Sequence, residues 1–193
     1  MCSWCWGFRP VWEKILAELP DNIEVKYLLG GLAPDSDEPM PQGMRDDIAG
    51  YWRKVQSHIP NTPFNFDFWQ QCEPRRSTYP ACRAVIAARM QQPKREREMI
   101  NAIQTAYYLK AQNPSDNKTL ISLAVELGLD EAQFKQDLNA ETTQDALLKE
   151  IHFASKIGAQ GFPSMLLEKA GQFHYVPLNY NDPQPALDFI QQV

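Results

Sequence analysis

Two cysteines three residues apart, Cys2 and Cys5, are the side chains of this 193-residue sequence best suited by type and spacing to covalent chemistry. They sit in Met1-Cys2-Ser3-Trp4-Cys5-Trp6-Gly7-Phe8-Arg9-Pro10 and run straight into a helical pattern, with Val11, Ile15, Leu16 and Leu19 on one face. A helix that begins at the cysteines holds their Cβ atoms roughly 5–6 Å apart, near the range a disulfide closes. The free amides and dipole of a first helical turn favour negative charge, so Cys2 should ionise more readily than a free thiol. One sulfur is then tuned to attack, and the other is placed to resolve a mixed disulfide. Half of a zinc site is a second reading, but it needs another closely spaced pair. Cys72 and Cys82 are far downstream and widely spaced, and no His pair completes a ligand set. Two incidental core cysteines are a third reading, and they fit poorly among Ser3, Trp4 and Trp6.

The bulk properties describe the scaffold. A chain of 193 residues suggests one domain, with room for an inserted subdomain. That length buries roughly 70% of its unfolded surface, so no disulfide staple is required. Hydrophobic residues at 44% and charged residues at 22% are those of a soluble globular protein. The net charge of −5 argues weakly against nucleic acid or an anionic membrane as partners. No apolar run reaches the roughly eighteen residues of a membrane span, and no signal peptide precedes the cysteines, so the expected compartment is the cytoplasm. Four cysteines are too few for a disulfide framework, and in reducing cytosol a C-x-x-C is more often catalytic or metal-binding than structural. Cys82 shares a face with Val85 and Ile86 and reads as a small buried hydrophobe, with Cys72 in the loop before it. A second redox pair at these two is the alternative.

The elements follow from periodicity and punctuation. The first helix should end near Leu19-Pro20-Asp21-Asn22. Ile23, Val25, Tyr27 and Leu29 alternate with polar residues up to Gly30-Gly31 and read as a strand. A proline-rich loop with Pro34, Pro39 and Pro41 then opens a helical block. Met44, Ile48, Tyr51, Trp52, Val55 and Ile59 mark one amphipathic helix, closed by Pro60. Ser77 or Thr78 caps the next, with Pro80 in its first turn. Further helices run through Met99–Tyr107, Leu120–Leu127, Phe134–Leu138 (capped by Asp130) and Leu147–Ile157, with Gly158 as a stop. Phe64 to Trp69 reads as core of this block. Ser164–Glu168 and Phe173–Val176 form a hairpin, and a helix from Asp182 carries Leu187 and Ile190. His58, His152 and His174 are dispersed and form no ligand spacing.

The run Cys2-Ser3-Trp4-Cys5-Trp6-Gly7-Phe8 with Pro10 resembles the thioredoxin superfamily, its DsbA-like branch and, within that, the FrnE-type oxidoreductases. Gly161-Phe162-Pro163-Ser164 resembles the family loop whose cis-proline faces the cysteine pair. Arg76-Ser77-Thr78-Tyr79 leading into Cys82-Arg83-Ala84 resembles the FrnE-type helical insert. The resemblance implies an α/β, thioredoxin-like sheet over residues 1–31 and 159–193, with a large all-helical insertion over 40–158. It implies Cys2 as nucleophile, Cys5 as resolving cysteine and Pro163 as a shaper of the substrate side. Phe162 would offer its backbone to an extended substrate, and Trp4, between the cysteines, would line the groove; Trp6 is expected in the core.

The family's leading strand has no counterpart here, and Met1 reads as an internal methionine taken as a start. The expectation is a gap between Ile23–Leu29 and the strand after Pro163. A chain with that gap should be unstable or aggregated, and about ten upstream residues should rescue it, because each unpaired buried group costs about 1–3 kcal/mol.

The function implied is thiol–disulfide exchange with protein, peptide or small thiols, glutathione included. No cofactor is needed, because the two cysteines carry the electrons. One alternative is a glutathione-dependent isomerase or transferase of the kappa-like group, related to 2-hydroxychromene-2-carboxylate isomerases. Members of that group generally use a single serine, where this chain has both cysteines. The other alternative is a non-catalytic metal-binding or scaffold protein.

Overall fold

The computed structural model describes residues 1–193. Helix α1 spans Ser3–Glu18. A block of helices follows: α2 (Gln42–His58), α3 (Phe68–Gln71), α4 (Tyr79–Gln91), α5 (Arg95–Leu109), α6 (Asn117–Glu126), α7 (Glu131–Leu138) and α8 (Glu141–Lys156). An antiparallel hairpin, β1 (Leu166–Lys169) and β2 (Gln172–Tyr175), and helix α9 (Gln184–Gln192) close the chain. The hairpin register pairs Leu166 with Tyr175 and Lys169 with Gln172. The order matches the reading from periodicity except for one addition and, described below, one missing strand. The four-residue α3 carries no helical period, and it forms where Phe68 is pulled into an aromatic core.

Helix α4 is the hub of the block. Ala84 to Ala88 are buried in unbroken succession, so this helix is covered on every side, by α5, α6, α7 and α8. Its small side chains let those neighbours approach closely. A core of 14 buried residues results, joining Ala81–Ala88 with Met99, Ile103, Leu120, Phe134 and Leu138. Beside it lies an aromatic core around the fully buried Trp52, ringed by Phe64, Phe66, Phe68, Trp69, Tyr107 and Tyr108 at 4.9–6.0 Å between centroids. The reading of Phe64–Trp69 as core of the block is therefore correct.

The hairpin, α1 and α9 share a smaller core of six buried residues: Phe8, Val11, Ile15, Val176, Ala186 and Leu187. Helix α1 is docked to the block through two features. The Trp6 indole N–H donates to the Pro63 carbonyl at 2.9 Å. Gly7 lies against α2, where a Cβ would come within 2.5 Å of Ile59 Cδ1 and 3.0 Å of Val55.

One expected element is corrected. Ile23–Leu29 keeps the alternating half-buried and exposed pattern of a strand, but it forms none. A strand exists through main-chain pairing, and no strand lies beside this segment; residues 24–32 make no main-chain to main-chain hydrogen bond. The sheet is β1 and β2 alone. Between Ile23 and the free side of β1 lies a cavity of about 460 Å³, lined by Pro20, Ile23, Leu167, Lys169, Ile190 and Val193. Of the expected strand, only Ile23 reaches this cavity, and its amide is paired with the Pro20 carbonyl.

Candidate active site

Cys2 is the N-cap of α1, with extended backbone (φ −100°, ψ 117°). Its sulfur accepts the Cys5 amide at 3.4 Å, the position a capping Ser or Asp oxygen usually fills. The same sulfur lies 3.4 Å from the Phe162 carbonyl, to which the thiol donates. The two contacts pull in opposite directions. The amide favours the thiolate and the carbonyl favours the thiol. The balance falls to the thiolate, and the Cys2 pKa is lowered to about 7. A hydrogen bond from the Cys5 thiol is the largest cause, ahead of the Cys5 and Trp4 amides, and burial opposes them. Cys5 pays the reciprocal cost. Its thiol is held well above the usual range, first because it donates to Cys2 and then by burial. The sequence reading placed the effect on the helix terminus; the partner thiol outranks it.

All four cysteines are free thiols and half-buried. Cys82 is pushed up to about 11 by burial. Cys72 caps α3, its thiol donates to the Ala111 carbonyl at 3.0 Å, and burial raises it. No group of three or more His, Cys, Asp or Glu side chains is gathered in ligand geometry.

The Phe162–Pro163 bond is cis, and Pro163 is half-buried. The Phe162 ring, 42% exposed, meets Gly30 with its edge, where a Cβ would be 1.8 Å from Cε1 and 2.3 Å from Cζ. Trp4 is half-buried and wedged edge-on between His58 of α2 at 5.8 Å and Tyr180 at 5.3 Å. It thus bridges the helical block and the segment before α9. Trp6 is buried, stacks on Tyr108 at 5.4 Å and carries the Arg9 guanidinium over its outer face.

The structure brings Cys2, Cys5 and Phe162 together and sets Trp4 at their flank. Sequence reasoning missed Tyr180, Gly30 and Tyr108. Tyr180 is pushed up to about 12 by burial, then by the charges of Cys2 and Cys5. Tyr108, fully buried, is driven well above its usual range by burial first, with Tyr107, Cys2 and Cys5 adding to it. Gly30 was visible as half of a Gly-Gly pair but was read only as a strand end. Tyr180 lies in an Asn-Tyr-Asn-Asp stretch with no periodic signal.

A sequence profile described as thioredoxin matches residues 1–172. The chain belongs to the thioredoxin family. Its fold is that of a candidate protein disulfide isomerase from Nitrosomonas europaea, at 27% identity, with a TM-score of 0.86 over all of this chain and 92% of the other. The cytosolic disulfide reductase DsbM of Pseudomonas aeruginosa shares the fold at 22% identity, with a TM-score of 0.80 over the whole chain and 93% of DsbM. A second DsbM structure, with glutathione, matches at 21% identity and a TM-score of 0.79, over the whole chain and 94% of that one. These neighbours fit a DsbA-like member of the superfamily. Among curated proteins, the chain is similar to the ClpXP adapter protein SpxH of Halalkalibacterium halodurans, 29% identical over 76% of this chain. SpxH of Bacillus subtilis is 21% identical over 86% of it. The chain spans about half the length of these curated relatives, 49% and 54%. No helix is long and apolar enough to cross a membrane.

Proposed function

We propose that this chain is a thiol–disulfide oxidoreductase in which Cys2 is the nucleophile and Cys5 the resolving cysteine. The observation that carries the reading is the split between the two thiols: Cys2 lowered to about 7, Cys5 raised, at the head of one helix. At neutral pH about half of Cys2 is thiolate, the form that attacks. The Cys2 thiolate displaces one sulfur of a substrate disulfide, forming a mixed disulfide, and the released sulfur takes a proton. Cys5 then loses its proton and attacks the Cys2 sulfur. The second substrate sulfur leaves as a thiolate and is protonated, and a Cys2–Cys5 disulfide remains. Two electrons pass to the substrate, and two equivalents of a thiol such as glutathione restore the pair.

Pro163 and the Phe162 backbone form the substrate side, with Trp4 at its edge. Residues 1–31 and 159–193 are the thioredoxin-like unit, and 40–158 the FrnE-type helical insertion. The match to a cytosolic reductase supports a place in the cytoplasm and thiol or glutathione partners.

Alkylation of the reduced protein across pH tests the reading. Cys2 should label first with a midpoint near pH 7, and Cys82 should lag far behind. Oxidation with glutathione disulfide should yield a Cys2–Cys5 disulfide by peptide mapping. First labelling at Cys82, or a disulfide elsewhere, would count against it.

A second reading, adapter binding, is favoured by the sequence likeness to SpxH. It needs no thiol chemistry, so a Cys2→Ser variant that kept full biological activity would support it.

A further inference from the structure

Residues 29–31 are held on one side by the helical block. The Leu29 amide donates to Glu150 Oε2 of α8 at 2.9 Å. Glu150 is 85% removed from solvent, with side-chain exposure of 15%, and is itself fixed by Arg89 of α4, which also pairs with Glu96 of α5 at 2.7 Å. Gly31, at φ +56°, is enclosed by Ile151 and Tyr79, both within 2.8 Å of where its Cβ would be. No main-chain ladder supports this segment. Its remaining contact faces the redox pair: the Phe162 ring covers Gly30 with no room for a methyl group, while the Phe162 carbonyl receives the Cys2 thiol. A continuous set of contacts therefore runs from three helices of the block to the attacking sulfur.

We propose that Leu29–Gly31 is a seat through which the helical block positions Phe162 beside Cys2, with Gly30 and Glu150 as its positioning residues. The inference rests on the redox reading above and adds to it a role for the block in substrate alignment. Gly30 acts by having no side chain, so that the ring edge fits against it and the substrate-facing backbone keeps its place. Glu150 acts by accepting the Leu29 amide at 2.9 Å. Neither group touches the sulfur. Their loss should therefore impair extended peptide substrates, which must align along Phe162, and spare small disulfides, which need only the Cys2 thiolate.

The test uses a peptide disulfide and, in parallel, Ellman's reagent, with Gly30→Ala, Glu150→Ala, Glu150→Gln, Phe162→Ala and the Phe162→Ala doubles. Gly30→Ala and Glu150→Ala should each raise the peptide KM by about tenfold, within the coupling expected of residues in contact. The rate with Ellman's reagent should stay within about twofold. Glu150→Gln keeps an acceptor for the Leu29 amide and should recover most of the loss. With Phe162 already truncated, neither Gly30→Ala nor Glu150→Ala should raise KM further. Equal losses in both backgrounds, or a wild-type peptide KM in Gly30→Ala and Glu150→Ala, would overturn the seat. If Gly30→Ala does not fold, the Glu150 pair in the two backgrounds decides. A Cys2→Ser variant run alongside separates the two claims: retained turnover there sinks the redox reading, whereas lost turnover with wild-type Gly30→Ala sinks the seat alone.

Discussion

The helical block and the hairpin side of the molecule are built to different standards. In the block, α4 is buried on all faces, and 14 core residues join four helices. On the other side, six buried residues hold α1, α9 and a two-stranded sheet, and Glu24–Leu32 is extended with no ladder at all. The Cys2–Cys5 pair sits on the seam, on a helix that belongs by packing to both sides. Trp6 and Gly7 fix α1 to the block, while Phe8, Val11 and Ile15 fix it to α9 and the segment after β2. Precision at the cysteines is thus borrowed from the better-packed half.

The largest expected difference is in core truncation. Trp52→Ala removes the centre of the aromatic core and should cost roughly 3–5 kcal/mol of unfolding free energy. Leu187→Ala, in the smaller core near the surface, should cost about 2–3 kcal/mol, because its surroundings can collapse. Denaturant titration of both variants checks the order, and a reversed order would break the comparison.

A smaller effect should appear without any mutation. Amides of residues 24–28 should exchange with solvent almost unprotected, while those of Ala84–Ala88 should exchange only with global opening. The Leu29 amide, bonded to Glu150, should stand out as protected within its own segment. Uniform protection across both regions would show that the hairpin side is paired in solution.

Sequence pattern carried most of this architecture, because helices announce themselves locally. The 3.6-residue period of Met44–Ile59 and the Asp130 cap are properties of consecutive residues; the helix forms with Trp52 and Val55 buried, though Met44 and Tyr51 are exposed, and Asp130 accepts the Gln133 amide. Ile23–Leu29 shows the limit of such reasoning. Its alternation is real, yet a strand is a relation between two segments, and the second is not beside it. The site was readable to the same depth. Cys2 and Cys5 were evident from spacing, and Phe162 from the motif around Pro163. Gly30, Glu150 and Tyr180 were not, since each matters through a contact with a residue more than a hundred positions away in sequence. The first-turn amides of Trp4 and Cys5 lower the Cys2 pKa as expected, but the larger contribution of the Cys5 thiol depends on side-chain geometry that the sequence does not show.

The most direct test of the central claim is a trap. In a Cys5→Ser variant the mixed disulfide has no resolving thiol, so incubation with glutathione disulfide or a peptide disulfide near pH 7 should leave one adduct, at Cys2, stable until a dithiol is added. Cys2→Ser should form no such adduct. An adduct at Cys72 or Cys82 in preference to Cys2, or none at all in the Cys5→Ser protein, would contradict the assignment of Cys2 as nucleophile.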